Sequence, residues 1–159
     1  MVDFQTTQGD MIAIADEPIA ALRAALRSSL LLPDDAGYDL ARTLWNGMID
    51  RRPAAIVRAA GAADVIQAVN FAREHRLLMA VKGGGHNIAG KAACDGGLMI
   101  DLAAMKSVRV DAAARLARVE PGALLSDFDR ETQAFGLSTP ININSTTGMA
   151  GLTLGNDFN

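Results

Sequence analysis

Apolar positions change rhythm three times along the chain. Residues 1–13 show no clear period and read as a loose arm. Ile19, Leu22, Leu26 and Leu30 then recur at spacings of three and four, with Arg23 and Arg27 on other sides, which predicts an amphipathic helix from Pro18 to about Leu31. Pro18 suits its first turn, Pro33 lies just past its end, and Pro33 to Gly37 reads as a loop. After Pro53, Ala54-Ala55-Ile56-Val57-Arg58 is the short apolar run of a buried strand. Val65, Ile66, Val69 and Ala72 mark one side of a helix over Ala62 to His75, and Leu77 to Val81 reads as a second strand. Strand, helix and strand in so short a stretch make a βαβ unit.

Past Gly97 the elements become short strands with tight turns. Gly97 to Leu102 is apolar, Val108 and Val110 alternate with charged neighbours, and Leu116 to Val119 alternates again after a turn at Asp111 to Ala114. Leu124, Leu125, Phe128, Thr132 and Phe135 mark a helix that Gly136 can close in the left-handed conformation. The tail from Ser138 is rich in Thr, Asn, Ser and Gly and does not read as a helix interior. A βαβ unit followed by antiparallel strands gives an α+β fold rather than a doubly wound sheet.

Composition narrows the function classes. The chain has 159 residues, half of them apolar, and mean hydropathy is +0.16, which excludes a disordered chain. Ala supplies 29 of these residues, so the core buries little area per residue and stability should be marginal unless a ligand or another segment completes it. Net charge is −3, the basic residues are scattered, and there are only five Phe, one Trp and one Tyr, so nucleic-acid binding is not expected. No apolar run is long enough to span a membrane, and Asp3 and Asp10 give the wrong sign for a secretory leader. A lone Cys94 makes no internal disulfide. A soluble, cytoplasmic protein is the expectation.

The chemistry concentrates in Val81-Lys82-Gly83-Gly84-Gly85-His86-Asn87-Ile88-Ala89-Gly90-Lys91, directly after a strand. Three consecutive glycines let the backbone approach a ligand closely, successive N–H groups can form an anion nest, and Lys82 adds positive charge. A phosphate or pyrophosphate is the natural guest, and a plain tight turn is the alternative. The dinucleotide spacing G-x-G-x-x-G fails because Ile88 holds the third place. The P-loop pattern runs from Gly85 to Lys91, but Ala92 stands where a hydroxyl must bind Mg²⁺ and no helix follows.

Taken over a longer stretch, the chain resembles the FAD-binding domain of the p-cresol methylhydroxylase and vanillyl-alcohol oxidase superfamily, in its berberine-bridge-enzyme-like branch. The resemblance runs in order from Trp45-Asn46-Gly47 and Arg52-Pro53-Ala54-Ala55-Ile56-Val57 through the glycine loop to Asp95-Gly96-Gly97 and Ile100-Asp101-Leu102. It continues through Val110-Asp111, Ala117-Arg118-Val119, Pro121-Gly122, Gly136-Leu137, Thr139-Pro140, Ser145-Thr146-Thr147-Gly148 and Gly151-Leu152-Thr153-Leu154-Gly155. It implies residues 1–44 as an N-terminal arm and helix, followed over 45–159 by an incomplete FAD-binding domain: a small βαβ subdomain and the start of an antiparallel-sheet subdomain. It also implies that Lys82, Gly83, Gly84, Gly85, His86, Asn87, Gly90, Pro140, Ser145, Thr146, Thr147, Gly148 and Gly151 contact FAD. His86 stands where the family often bonds the flavin covalently through its 8α carbon, and a neutral imidazole suits that role; a loop histidine that only hydrogen-bonds is the alternative. Some relatives carry a second link through a Cys near Ser145, where this chain has Asn144 or its neighbours, and Cys94 is out of register.

The chain departs from the family at Ile141 and Asn142, where glycines are usual, and at Gly155-Asn156-Asp157-Phe158-Asn159, where a further glycine pair and an aromatic are usual. Family members are also longer, adding the rest of the flavin subdomain and a substrate domain. Three functions stay open: the N-terminal part of a flavin-dependent oxidoreductase, passing a hydride from an organic substrate to FAD and on to oxygen or another acceptor; a truncated, non-catalytic product; and a protein-binding module. Expected partners are FAD, the missing C-terminal segments or a partner chain, or a second copy in a homo-oligomer.

Overall fold

The computed structural model describes residues 1–140 and 144–155; Ile141, Asn142 and the segment after Gly155 lie outside them. Its centre is a four-stranded sheet in the order β3-β4-β6-β5, built from β3 (Ser29–Leu31), β4 (Ala55–Arg58), β5 (Met79–Lys82) and β6 (Leu98–Asp101). The last three run parallel, with Ala55 and Met79 both opposite Leu98, and β3 pairs antiparallel with β4. The βαβ unit is present, with α3 (Ala62–Glu74) between β4 and β5. Its two strands are not neighbours, however: β6 inserts between them.

Period-2 alternation sends the strands' side chains to two different cores. Val57, Leu98 and Ile100 face α3 and α1 (Asp16–Ala25), packing with Ile19, Leu22, Ala68 and Phe71. Ile56 and Met99 face the other way, onto Tyr38 and Ala41 of the short α2 (Tyr38–Arg42), Leu44, and Ala92 and Ala93. Those two alanines belong to residues 83–97, which link parallel neighbours β5 and β6 without a helix and must return along this face of the sheet. The glycine loop opens that return path, at the carboxyl ends of the parallel strands.

Three readings of the sequence are corrected here. Residues 1–13 form no loose arm: β1 (Val2–Gln5) and β2 (Met11–Ile14) pair as a hairpin, with Phe4 and Ile14 buried in the helix-side core. Backbone bonds from Leu78 N–H to the Gln5 carbonyl (2.8 Å) and from Gln5 N–H to the Gly96 carbonyl (2.7 Å) fasten it down. The helix from Pro18 stops at Ala25, and Leu30 is buried in β3 instead. Asp64 causes the break: its buried carboxylate accepts the N–H groups of Arg27 and Ala60, each at 2.8 Å, so the chain turns out of the helix onto the sheet. The tail holds a helix after all, α5 (Met149–Gly155), because Met149 and Leu152 bury against Phe128.

The rest follows the α+β expectation. β7 (Val108–Asp111) and β8 (Leu116–Val119) form a separate antiparallel pair, followed by α4 (Leu125–Gln133), whose end Gly136 closes at φ 66°. A small cluster of Ala123, Leu125, Phe128, Met149 and Leu152 joins α4 to α5, with Val108 and Val119 against it. Beside it Val110, Ala117 and Pro121 line an open groove of about 910 Å³. Among the described residues no helix is long and apolar enough to cross a membrane.

Candidate functional site

Two backbones meet where the sheet region touches the α4–α5 region. Gly84 follows β5, and Gly148 precedes α5, where an antiparallel bridge to Leu124 and a bond from Met149 N–H to the Ala123 carbonyl (2.9 Å) hold it. A Cβ on Gly84 would lie 2.5 Å from the Gly148 nitrogen, and one on Gly148 would lie 2.4 Å from the Gly84 nitrogen. No side chain fits between them, so both positions require glycine. The contact forms the floor of a cleft of about 340 Å³.

Of the residues singled out in the sequence, Gly83, Gly84, Gly85, His86 and Asn87 line this cleft from one side, and Thr147, Gly148 and Gly151 from the other. Among the described residues, the N–H groups of Gly84, Gly85 and His86 donate to no protein acceptor, which leaves them for a ligand. Thr146 joins through its hydroxyl, 3.2 Å from His86 Nε2. Ser145 is not among the residues lining the cleft, and its carbonyl accepts the Ser126 N–H at 3.0 Å. Gly90 makes a left-handed turn (φ 72°) against Ile49, outside the cleft. Pro140 lines the larger groove instead.

Lys82 does not line the cleft. In register with it on the neighbouring strands stand Asp101 and Arg58, and the buried Lys82 ammonium donates to the Ala41 carbonyl and lies 3.8 Å from Asp101 Oδ2. Burial lowers its pKa, against an upward pull from Asp101. Its charge therefore serves the interior of the sheet. The cation that does line the cleft is Lys91, whose side chain is exposed and whose N–H is held by Asn87 Oδ1 at 3.0 Å. Its place in the same loop, nine residues after the strand, was the available signal. Trp45 is the other contact that the sequence did not single out for a role: it stacks on His86 with ring centroids 5.0 Å apart and 22° between planes. Partial burial lowers the pKa of His86, against a smaller rise from the Thr146 backbone, and so favours the neutral imidazole. Cys94 is buried, and burial pushes its thiol up to about 11, which makes it a small packing residue rather than a nucleophile.

An unpaired run of N–H groups after a strand, a glycine contact that admits no side chain and a flanking lysine suit the anionic centre of a dinucleotide. Comparison with known proteins agrees. Residues 53–158 match the family model described as FAD binding domain. The chain is 35% identical over 130 residues to (R)-6-hydroxynicotine oxidase of Paenarthrobacter nicotinovorans, covering 82% of this chain and 28% of that one. It is 43% identical over 111 residues to an FAD-linked oxidoreductase of Dictyostelium discoideum, covering 70% and 24% respectively. Among solved structures, 6-hydroxy-D-nicotine oxidase from Arthrobacter nicotinovorans superposes with a TM-score of 0.77 at 35% identity, over 80% of this chain and 28% of its own. A BBE-like protein of Physcomitrella patens gives 0.77 at 26% identity, over 84% and 29%. The chain thus spans less than a third of the length of these relatives.

Proposed function

The chain belongs to the FAD binding domain family of FAD-linked oxidoreductases, and from that premise we propose that it is the part of a flavin-dependent oxidoreductase that captures FAD in the Gly84–Gly148 cleft. The observation that carries this reading is the side-chain-free contact of those two backbones beneath unpaired N–H groups. The N–H groups of Gly84, Gly85 and His86 hold the pyrophosphate, Lys91 supplies its counter-charge, and Thr147 and Gly151 close the far side. Bound FAD supplies two-electron chemistry, taking a hydride from a substrate C–H bond and passing the electrons to oxygen or another acceptor. The protein's share is to bind and orient the flavin and keep it in place.

His86 provides a permanent anchor in this reading, through a bond from a ring nitrogen to the flavin's 8α carbon. Forming it removes one proton from the methyl group and one from the imidazole, and two electrons leave to an acceptor such as dioxygen. The test is an absorbance spectrum of the purified chain incubated with FAD, before and after acid precipitation. Yellow colour in the pellet that moves to the supernatant in His86→Ala is the expected result. Colour in the supernatant for both chains overturns the covalent anchor, and a chain that stays colourless overturns FAD capture by these residues alone. The open groove beside β7 and β8 favours a second reading, a module that binds another chain. Light scattering that finds a stable oligomer without flavin would support it.

A further inference from the structure

The hydrogens on Thr146 decide which face of His86 is chemically available. A threonine hydroxyl carries one hydrogen and can also accept. Here Oγ1 has two partners, Asn144 Oδ1 at 2.8 Å and His86 Nε2 at 3.2 Å. The backbone N–H of Thr146 also donates to Asn144 Oδ1, at 3.1 Å, which identifies that terminal atom as the amide oxygen: an NH₂ there would set donor against donor. An amide oxygen only accepts, so the hydroxyl hydrogen lies on the 2.8 Å contact. Turned toward His86 instead, it would leave two oxygens facing each other at that distance with no proton between them. The lone pair of Oγ1 therefore points at His86, and Nε2 must be the donor.

A neutral imidazole carries one N–H, so a donor at Nε2 leaves the lone pair on Nδ1. Trp45, stacked on the ring, restrains its rotation about the bond that would exchange the two nitrogens. We infer that Asn144 and Thr146 are positioning residues that lock His86 in the Nε2–H tautomer and present Nδ1 as the ring atom open to an electrophilic carbon or a donor group of the ligand. This rests on the reading of the cleft as an FAD site, but the tautomer is measurable without flavin.

The experiment is ring-¹⁵N NMR of the histidine-labelled chain, flavin-free and at a pH well above the ordinary imidazole pKa, with the His86 signals assigned by their loss in His86→Ala. The native chain should show Nε2 protonated and Nδ1 bare. Thr146→Val removes the hydroxyl acceptor and keeps the backbone contact that raises the His86 pKa, and the ratio of the two tautomers should fall by about fivefold, the worth of one ordinary hydrogen bond. Thr146→Ser should restore it. Asn144→Ala frees the hydroxyl to donate and should move His86 toward Nδ1–H with Thr146 still in place, so the inference does not hang on one variant's folding. A native chain with Nδ1 protonated, or a tautomer ratio indifferent to Thr146→Val, overturns it. In parallel, native chain given FAD reports on the site itself: no capture of flavin with the predicted tautomer present refutes the FAD reading alone. Capture with the wrong tautomer refutes this inference alone.

Discussion

The central sheet and the β7–β8 pair differ in how far their apolar faces are covered. On the sheet, α1 and α3 close one face, and α2 with residues 83–97 closes the other, so that Ile56, Leu98, Met99 and Ile100 have no exposed surface. The β7–β8 pair rests against α4 through Val108 and Val119, while Val110 and Ala117 border the open groove. Hydrophobic stabilisation scales with area removed from water, so the first region holds most of the folding free energy and the second should open more readily. The cleft lies on the seam, taking its glycine loop from the closed region and Gly148 from the open one. A ligand that needs both sides of the cleft would stabilise the less complete half, because it would bind only when both halves are in place.

The largest effect should come from breaking the closed region at its buried acid. Asp64→Ala deletes two charge-assisted bonds and strands the N–H groups of Arg27 and Ala60. Each such bond is worth a sizeable share of a small protein's stability, and the loss should be about 3 kcal/mol in urea unfolding followed by circular dichroism. An unchanged midpoint would mean that the helix-covered face does not limit unfolding, and the contrast between the regions would fail.

Gly84→Ala should act at the seam. Its Cβ would press on the Gly148 nitrogen and Cα, both backbone atoms, so the two regions must separate. Overpacking of this kind costs about 1–3 kcal/mol. Amide hydrogen exchange should show faster exchange in α5 and around Thr147, unaltered protection in β4 and β6, and flavin capture lost. Equal loosening of the central strands would show that the two regions open as one unit.

The closed region was legible in the sequence wherever a single element decided its own structure. β4, α3 and β6 each carry a clear period or an apolar run, and each formed within a residue or two of its expected place. Errors arose where a distant partner decides. Leu26 and Leu30 continue a helical spacing, but the Asp64 carboxylate, far along the chain, pulls the backbone out of the helix. The hairpin alternates faintly in Val2, Phe4, Ile12 and Ile14, and it is fixed by bonds to Leu78 and Gly96. The glycine loop was legible as a place of close backbone approach because glycine after a strand has a local meaning, and Gly84 meets the Gly148 backbone there. Lys82 read as its counter-charge only because Asp101, its neighbour across the sheet, is invisible without strand order. Gly151 and Thr153 weaken the helical signal of α5, which packing on Phe128 overrides.

The smallest effect should sharpen the seam itself, through the protonation of His86. Partial burial lowers its pKa from the ordinary 6.5, and the stacked Trp45 supplies part of that cover. A histidine whose folded pKa lies below its unfolded value binds its proton first in the unfolded chain. The neutral ring therefore contributes nothing adverse above the unfolded pKa, and stability falls as pH drops through the window between the two values. Trp45→Ala exposes the ring and should move the folded pKa upward toward 6.5, narrowing that window and flattening the acid side of the stability curve. NMR titration of His86 in both chains reads the shift directly. Because Trp45 lies between α2 and β4 and Thr146 precedes α5, the comparison also shows which region shields the ring. A pKa that rises in Trp45→Ala and barely moves in Thr146→Ser assigns the shielding to the closed region. The reverse pattern would place it with the open one, and the seam would then be held from the side that burial alone makes the weaker.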